Sequence, residues 1–210
     1  MISARQALAR LREGNRRFVS EQEAGRALTG RVRRDELAGG QEPSAIILGC
    51  SDSRVPAEIV FDQGLGDLFV IRVAGNIVAP SQIGSVEFAA SNFGTELVVV
   101  LGHSMCGAVL ATLQEMRRPT RDQSPNLRSI VDRIRPSIES LAEATNPLSR
   151  DELIRQAIRA NVLASVNQLR HGSQIIEQLM QGGRLVVVGA EYSLETGVVD
   201  FFAGPPGMEE

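Results

Sequence analysis

The chain has 210 residues, enough for one compact domain with extensions and for a core that needs no disulfide staples. All 22 basic residues are arginine and 25 are acidic, a net charge of −3 that lacks the basic footprint of a nucleic-acid binder. The absence of lysine removes Schiff-base chemistry and the P-loop, and no stretch is apolar enough to span a membrane. Two Cys, two His and one Tyr leave few reactive side chains, so any clustering among them is informative.

The N-terminal segment carries no apolar h-region or small-residue cleavage site and is not read as a secretory signal, so a cytoplasmic location is expected. It reads as an amphipathic helix capped near Ser3, with Ala4, Leu8 and Leu11 on one face. Nine Arg and three Glu fall between Met1 and Arg34. A basic amphipathic helix also suits a membrane surface or a transit peptide. Its apolar face is narrow and has no Trp, which favours an arm that docks on its own domain or on a second subunit. The expected organisation is an arm over 1–34, an α/β domain over 35–203 and a Pro/Gly-rich tail over 204–210.

From Ser44 onward, short apolar runs alternate with helical patterns. Ala45–Leu48, Leu68–Arg72, Leu97–Leu101 and Leu185–Gly189 are continuously apolar, the signature of parallel strands covered on both faces. Helices are predicted over Pro56–Asp62, Ser81–Phe93, Cys106–Met116 and a long stretch from Pro125 to Met180, broken near Asn146–Pro147 and Gly172. Within that stretch, Ser149 and Glu152 suggest a capping box, and Leu153, Ile154, Ala157 and Leu163 an apolar face. Gly182–Gly183 stops the last helix, and Val198–Phe202 reads as an antiparallel edge strand. Right-handed crossovers turn this pattern into a doubly wound, mainly parallel α/β sheet with flanking helices.

Two strands run into reactive residues. The first leads into Cys50-Ser51-Asp52-Ser53-Arg54 and the third into His103-Ser104-Met105-Cys106-Gly107, both at strand carboxyl ends, where open α/β sheets bind ligands. Both cysteines and one of the two histidines lie there; His171 sits at a helix end, where it complements the dipole. A buried Cys is most often an inert small hydrophobe, and two cysteines can form a redox disulfide. Two thiolates and an imidazole also match a catalytic zinc with one open position, and the convergence of Cys50, His103 and Cys106 favours metal. Asp52 and Arg54 are two positions apart and form either an ordinary loop ion pair or a gate. As a gate, a bidentate Arg54 keeps the carboxylate off the metal, so that water takes the fourth position.

These paired motifs resemble the β-class carbonic anhydrases, and the likeness runs through EIVFDQGLGDLFVIRVAGN to GAEYSLETGVVDFF, roughly Gln41 to Phe202. The resemblance implies interconversion of carbon dioxide and bicarbonate, with Cys50, His103 and Cys106 as zinc ligands and Asp52 with Arg54 as the acid–base gate. It implies that the Gly107 N–H binds the anion or substrate. It further implies that Gln41, Phe69 and Phe88 line the substrate pocket, Phe88 standing where Tyr is common. One group of the family uses a Trp three residues before the first cysteine for an allosteric bicarbonate site; here that residue is Ile47 and the chain has no Trp, so an always-open site is expected. The family also implies dimers built by exchange of the N-terminal arm, often paired into tetramers. Two other readings keep the metal: a carbon disulfide or carbonyl sulfide hydrolase, and a non-catalytic zinc/thiol redox module.

Overall fold

The computed structural model describes residues 2–22, 30–119, 124–142 and 148–205. Its centre is a five-stranded sheet of order β2-β1-β3-β4-β5, formed by β1 (Ala45–Gly49), β2 (Leu68–Arg72), β3 (Leu97–His103), β4 (Val186–Tyr192) and β5 (Val199–Ala203). The first four strands are parallel, and β5 closes one edge antiparallel to β4, as its sequence suggested. Period-two alternation explains the continuous apolar runs. Ala45, Ile47, Leu97, Val99 and Leu101 project to one face, and Ile46, Leu48, Val98 and Val100 to the other. The first face is covered by α1 (Ala4–Val19) and the short α3 (Ala57–Val60); the second by α4 (Pro80–Phe93), α7 (Arg150–His171) and α8 (Gln174–Gln181). Two more helices, α5 (Gly107–Arg117) and α6 (Pro125–Ala142), build a third apolar cluster with α7. The remaining helix, α2 (Arg31–Leu37), buries none of its side chains and is tied to the body by Arg33, which pairs with Asp67 at 3.1 Å.

Several expectations shift in detail. The helix expected over Pro56–Asp62 is a single turn, because Asp62 turns to a left-handed φ of +45°. Ser149 Oγ does accept the Glu152 N–H, but only half of the capping box is seen: the Glu152 carboxylate turns to Arg155 and to Gln156 Nε2 instead. Leu163 is 42% exposed, on the far side of α7 from the buried Ala157, Ile158 and Val162. The break expected near Asn146–Pro147 and the end of the tail, 206–210, lie outside the described residues. Among the described residues no helix is long and apolar enough to cross a membrane.

The N-terminal helix docks on its own chain. A reciprocal capping box starts it, with Ser3 Oγ accepting the Gln6 N–H and Gln6 Oε1 accepting the Ser3 N–H. Leu8 and Leu11 are buried, each contributing about 1.5–3 kcal/mol. At Gly14 the helix approaches so closely that a Cβ would lie 1.8 Å from the Phe61 carbonyl oxygen. The next residue, Asn15, is buried; its Nδ2 donates to the carbonyls of Val60 (3.0 Å) and Gly197 (2.8 Å), and its Oδ1 accepts the Val199 N–H (2.9 Å). Asn15 thus staples α1 to α3 and to the β4–β5 hairpin. Asn15→Ala is expected to cost about 3 kcal/mol by stranding three backbone groups, the Val60 carbonyl and Val199 N–H buried and the Gly197 carbonyl partly so. Equilibrium denaturation checks this, and a loss below about 1 kcal/mol would contradict the staple.

Candidate metal centre

Strand β1 pairs with β2 on one side and β3 on the other, so the chain reverses direction across the sheet between β1 and β3. Cys50 follows the last residue of β1, and His103 is the last residue of β3. Cys106 is the N-cap of α5, three residues on. One ligand atom from each lies within 4.8 Å of the others, and all three residues are buried. Apolar side chains of α5, α6 and α7, among them Val109, Ile134 and Ile158, surround the sulfurs.

The donor set fits a cation. The Nδ1–H of His103 donates to the Ser104 carbonyl at 3.0 Å, which leaves Nε2 carrying a lone pair. That atom is buried and has no hydrogen-bond partner among the described residues. A lone pair facing two sulfurs, with no donor to satisfy it, is unfavourable unless a positive ion completes the group. The thiols are poised for one. The hydrogen bond from Cys106 pulls the Cys50 thiol down to about 4, opposed by burial and helped by the Gly75 and Asp52 backbone. The same shared bond, burial and the Cys50 charge push Cys106 up. Cys50 is therefore the readier of the two thiols to lose its proton.

The Asp52 carboxylate stands at the rim of this cluster, its Oδ2 3.9 Å from His103 Nε2. The fork of Arg54 closes on it, Nε to Oδ1 at 2.9 Å and Nη2 to Oδ2 at 2.7 Å, and the Arg54 N–H adds a third bond to Oδ1 at 3.0 Å. These bonds, opposed by a little burial and aided by the Arg54 charge, hold Asp52 well below the usual carboxylate range. Oδ1 accepts two of the three bonds and Oδ2 one, so the oxygen nearer the cluster keeps a free lone pair.

A sequence profile of the family described as "Carbonic anhydrase" matches residues 45–199. Carbonic anhydrase 2 of Mycobacterium tuberculosis is 41% identical over 189 residues, 89% of this chain and 87% of that protein. The solved β-carbonic anhydrase CcaA superposes with a TM-score of 0.74 at 27% identity, over 94% of this chain and 92% of that one. A structure reported among two tetrameric β-carbonic anhydrases of Sordaria macrospora superposes at 0.69 with 26% identity, over 81% of this chain and 86% of that one. This chain belongs to the β-carbonic anhydrase family.

Within this β-carbonic anhydrase, the other residues singled out in the sequence fall into two groups. Gly107 is exposed and begins α5 directly after Cys106, and a Cβ there would meet nothing within 4 Å, so a helix N-terminus lies beside the cluster. Gln41, Phe69 and Phe88 are not brought to the cluster by this chain. Gln41 precedes β1, whereas Cys50 follows it, so a strand length separates them; Gln41 is exposed in a groove with Arg33, Leu37 and Gly66. Phe69 lies in register with Ile46, well short of the carboxyl rim, and its ring packs 6.2 Å from Phe88 and 6.0 Å from Phe93. Phe88 is 52% exposed. His171, exposed at the end of α7, hydrogen-bonds the Asn167 carbonyl at 2.9 Å and stays outside the site.

Other supporting residues went unread in the sequence. Arg72, at the end of β2, donates from Nε to the Cys50 carbonyl (3.0 Å) and from Nη2 to the Asp52 carbonyl (2.6 Å), strapping the first motif in place. Ser104 ties the second motif to β4: its N–H donates to the Tyr192 carbonyl and its Oγ accepts the Leu194 N–H, both at 2.9 Å. Met105 takes a left-handed φ of +55° between the two motif ligands. Two buried, adjacent thiols set an expectation: zinc displaces thiol protons when it binds metal-free protein, so its apparent affinity falls as pH falls. Zinc competition titrations on either side of neutral pH check this, and an affinity independent of pH would contradict thiolate ligation.

Proposed function

We propose that this chain interconverts carbon dioxide and bicarbonate with zinc held by Cys50 Sγ, His103 Nε2 and Cys106 Sγ, and with Asp52 kept off the metal by Arg54. The observation that carries the reading is the buried, unpartnered Nε2 of His103 facing two sulfurs beside a carboxylate already gripped by an arginine. Zinc bound there supplies Lewis acidity that lowers the pKa of a water toward ~7.

The side chains divide the remaining work. Two thiolates already balance a divalent charge, so a third anion would close the site; the Arg54 fork holds Asp52 out and keeps a position open. The free lone pair on Asp52 Oδ2 accepts a hydrogen bond at the rim and can take a proton there. Arg54 is exposed, so the proton passes from Asp52 to solvent without a histidine relay. Carbon dioxide develops charge on its oxygens only as it is attacked, and the Gly107 N–H, at the positive end of α5, is placed to answer that charge. The apolar side chains of α5, α6 and α7 keep competing water from the ligands.

The chain works as a dimer or a pair of dimers, in which Gln41 of the partner subunit, with Phe69 and Phe88, completes the substrate pocket. This reading rests on the position of Gln41 at the wrong end of β1 for its own site, and on the exposed Phe88 beside Phe69 and Phe93. Two close, unbridged thiols fit a reducing compartment such as the cytoplasm.

Arg54→Ala is expected to lower kcat/KM for carbon dioxide hydration at pH 7 by about 10²-fold or more, with zinc retained. Stopped-flow assays and metal analysis check this, and full activity would sink the gate. The pH dependence follows in sign: with its pKa depressed in the folded state, Asp52 contributes stability above the ordinary carboxylate range near ~4 and loses it as pH falls. Acid unfolding of Arg54→Ala should therefore begin at higher pH than in the wild type. Light scattering should give a mass of two or four chains; a monomer with full activity would remove the shared pocket.

A further inference from the structure

Helix α7 buries an otherwise apolar face against the sheet and α6, made of Leu153, Ile154, Ala157, Ile158, Val162, Val166 and Leu169. Two polar residues interrupt it one turn apart, Asn161 at 2% exposure and Ser165 at 4%. Both reach the same short 3₁₀ turn, Ala74–Asn76, on the loop that leaves β2. Asn161 Nδ2 donates to the Gly75 carbonyl at 2.8 Å, and Ser165 Oγ donates to the Asn76 carbonyl at 2.9 Å. On its other side the turn meets the metal cluster, where the Gly75 N–H donates to Cys50 Sγ at 3.3 Å.

The turn cannot hold that pose by itself. Gly75 has φ +72°, and Asn76, next to it, has φ +43°, a conformation that a non-glycine residue adopts at a cost. A Cβ on Gly75 would come within 2.8 Å of Ile134 Cδ1 and 3.0 Å of Ala108 Cβ, so the turn is wedged between α5 and α6 with no room to rearrange. The Gly75 and Asn76 carbonyls would be stranded in this apolar setting without the two α7 side chains. With the Gly75 carbonyl fixed and its φ left-handed, the direction of its N–H is fixed as well, and that direction is the Cys50 sulfur.

We infer that Asn161 and Ser165 are positioning residues for the metal: they lock the 74–76 turn so that the Gly75 N–H orients Cys50 Sγ, and thereby set how firmly the site retains zinc. The inference rests on the ligand assignment proposed above. Neither residue touches a ligand, and their effect passes through the backbone of Gly75. Outer partners of this kind typically shift metal affinity by about 10–100-fold.

The test is zinc release from the holoenzyme to excess chromogenic chelator, read alongside the visible spectrum of the cobalt-substituted protein. Asn161→Ala should release zinc about 10-fold faster or more, and Ser165→Ala in the same direction by less, with the sulfur-to-cobalt charge-transfer band shifted in both. Should Asn161→Ala fail to fold, Asn161→Ser and Ser165→Ala carry the same expectation. Asn15→Ala is the comparison, since it removes a buried staple remote from the turn. Release within twofold of wild type in the Asn161 and Ser165 variants, or equal acceleration in Asn15→Ala with no spectral shift in any variant, overturns the inference. Cys50→Ser separates the two levels. If it retains zinc normally, the ligand assignment fails and takes the inference with it; if it loses zinc while the α7 variants behave as wild type, the inference alone fails.

Discussion

Three lone-pair donors converge in a buried, apolar corner of this protein, and no hydrogen-bond donor from the described residues meets the histidine among them. Such an arrangement is costly without a cation, so folding and metal binding become one problem. Much of the surrounding structure answers it. The sheet reverses its winding between β1 and β3, which brings residues about fifty positions apart to one rim. Arg72 and Ser104 then pin the two motifs from outside, one from β2 and the other from β4.

Charge balance sets the chemistry. In the proposed site two thiolates would balance a divalent ion, and a nearby aspartate would overshoot and occupy the position that the attacking water needs. The fork of Arg54 answers this locally: it satisfies the carboxylate, favours its ionised form and leaves the inner oxygen a free lone pair. The opposite halves of the problem sit in different media. The ligands are dry, where electrostatic interactions are strong, and the arginine is exposed, where its long side chain is readily solvated and protons can leave.

The helices have unequal tasks. α1 closes one face of the sheet and is held there by the buried Asn15 together with Arg10 and Arg17, which pair with Asp67 and Asp62. α7 closes the other face and, through two polar side chains, also reaches the loop beside Cys50. A helix that packs and positions at once couples the rigidity of the core to the geometry of the site. Under the positioning role proposed for Asn161 and Ser165, substitutions on its buried face separate into those felt as lost packing and those felt at the metal.

The sheet, the clustering of Cys50, His103 and Cys106 and the Asp52–Arg54 pair were legible in the sequence because each rests on a local rule. Continuous apolar runs mark covered parallel strands, reactive residues at strand ends mark the rim, and a one-residue gap lets an arginine fold back on its aspartate. Ser3 and the N-terminal apolar stripe likewise announced α1. What tertiary structure decided lies across the fold. Leu163 has the right chemistry for a core position but faces away from it. Gln41 belongs to the likeness yet sits at the far end of β1 from the site of its own chain. Arg72, Asn161 and Ser165 look like ordinary surface or helix residues until the loops they hold are seen. Their partners are backbone carbonyls, which every residue carries, so no pattern of side chains along the chain could have named them.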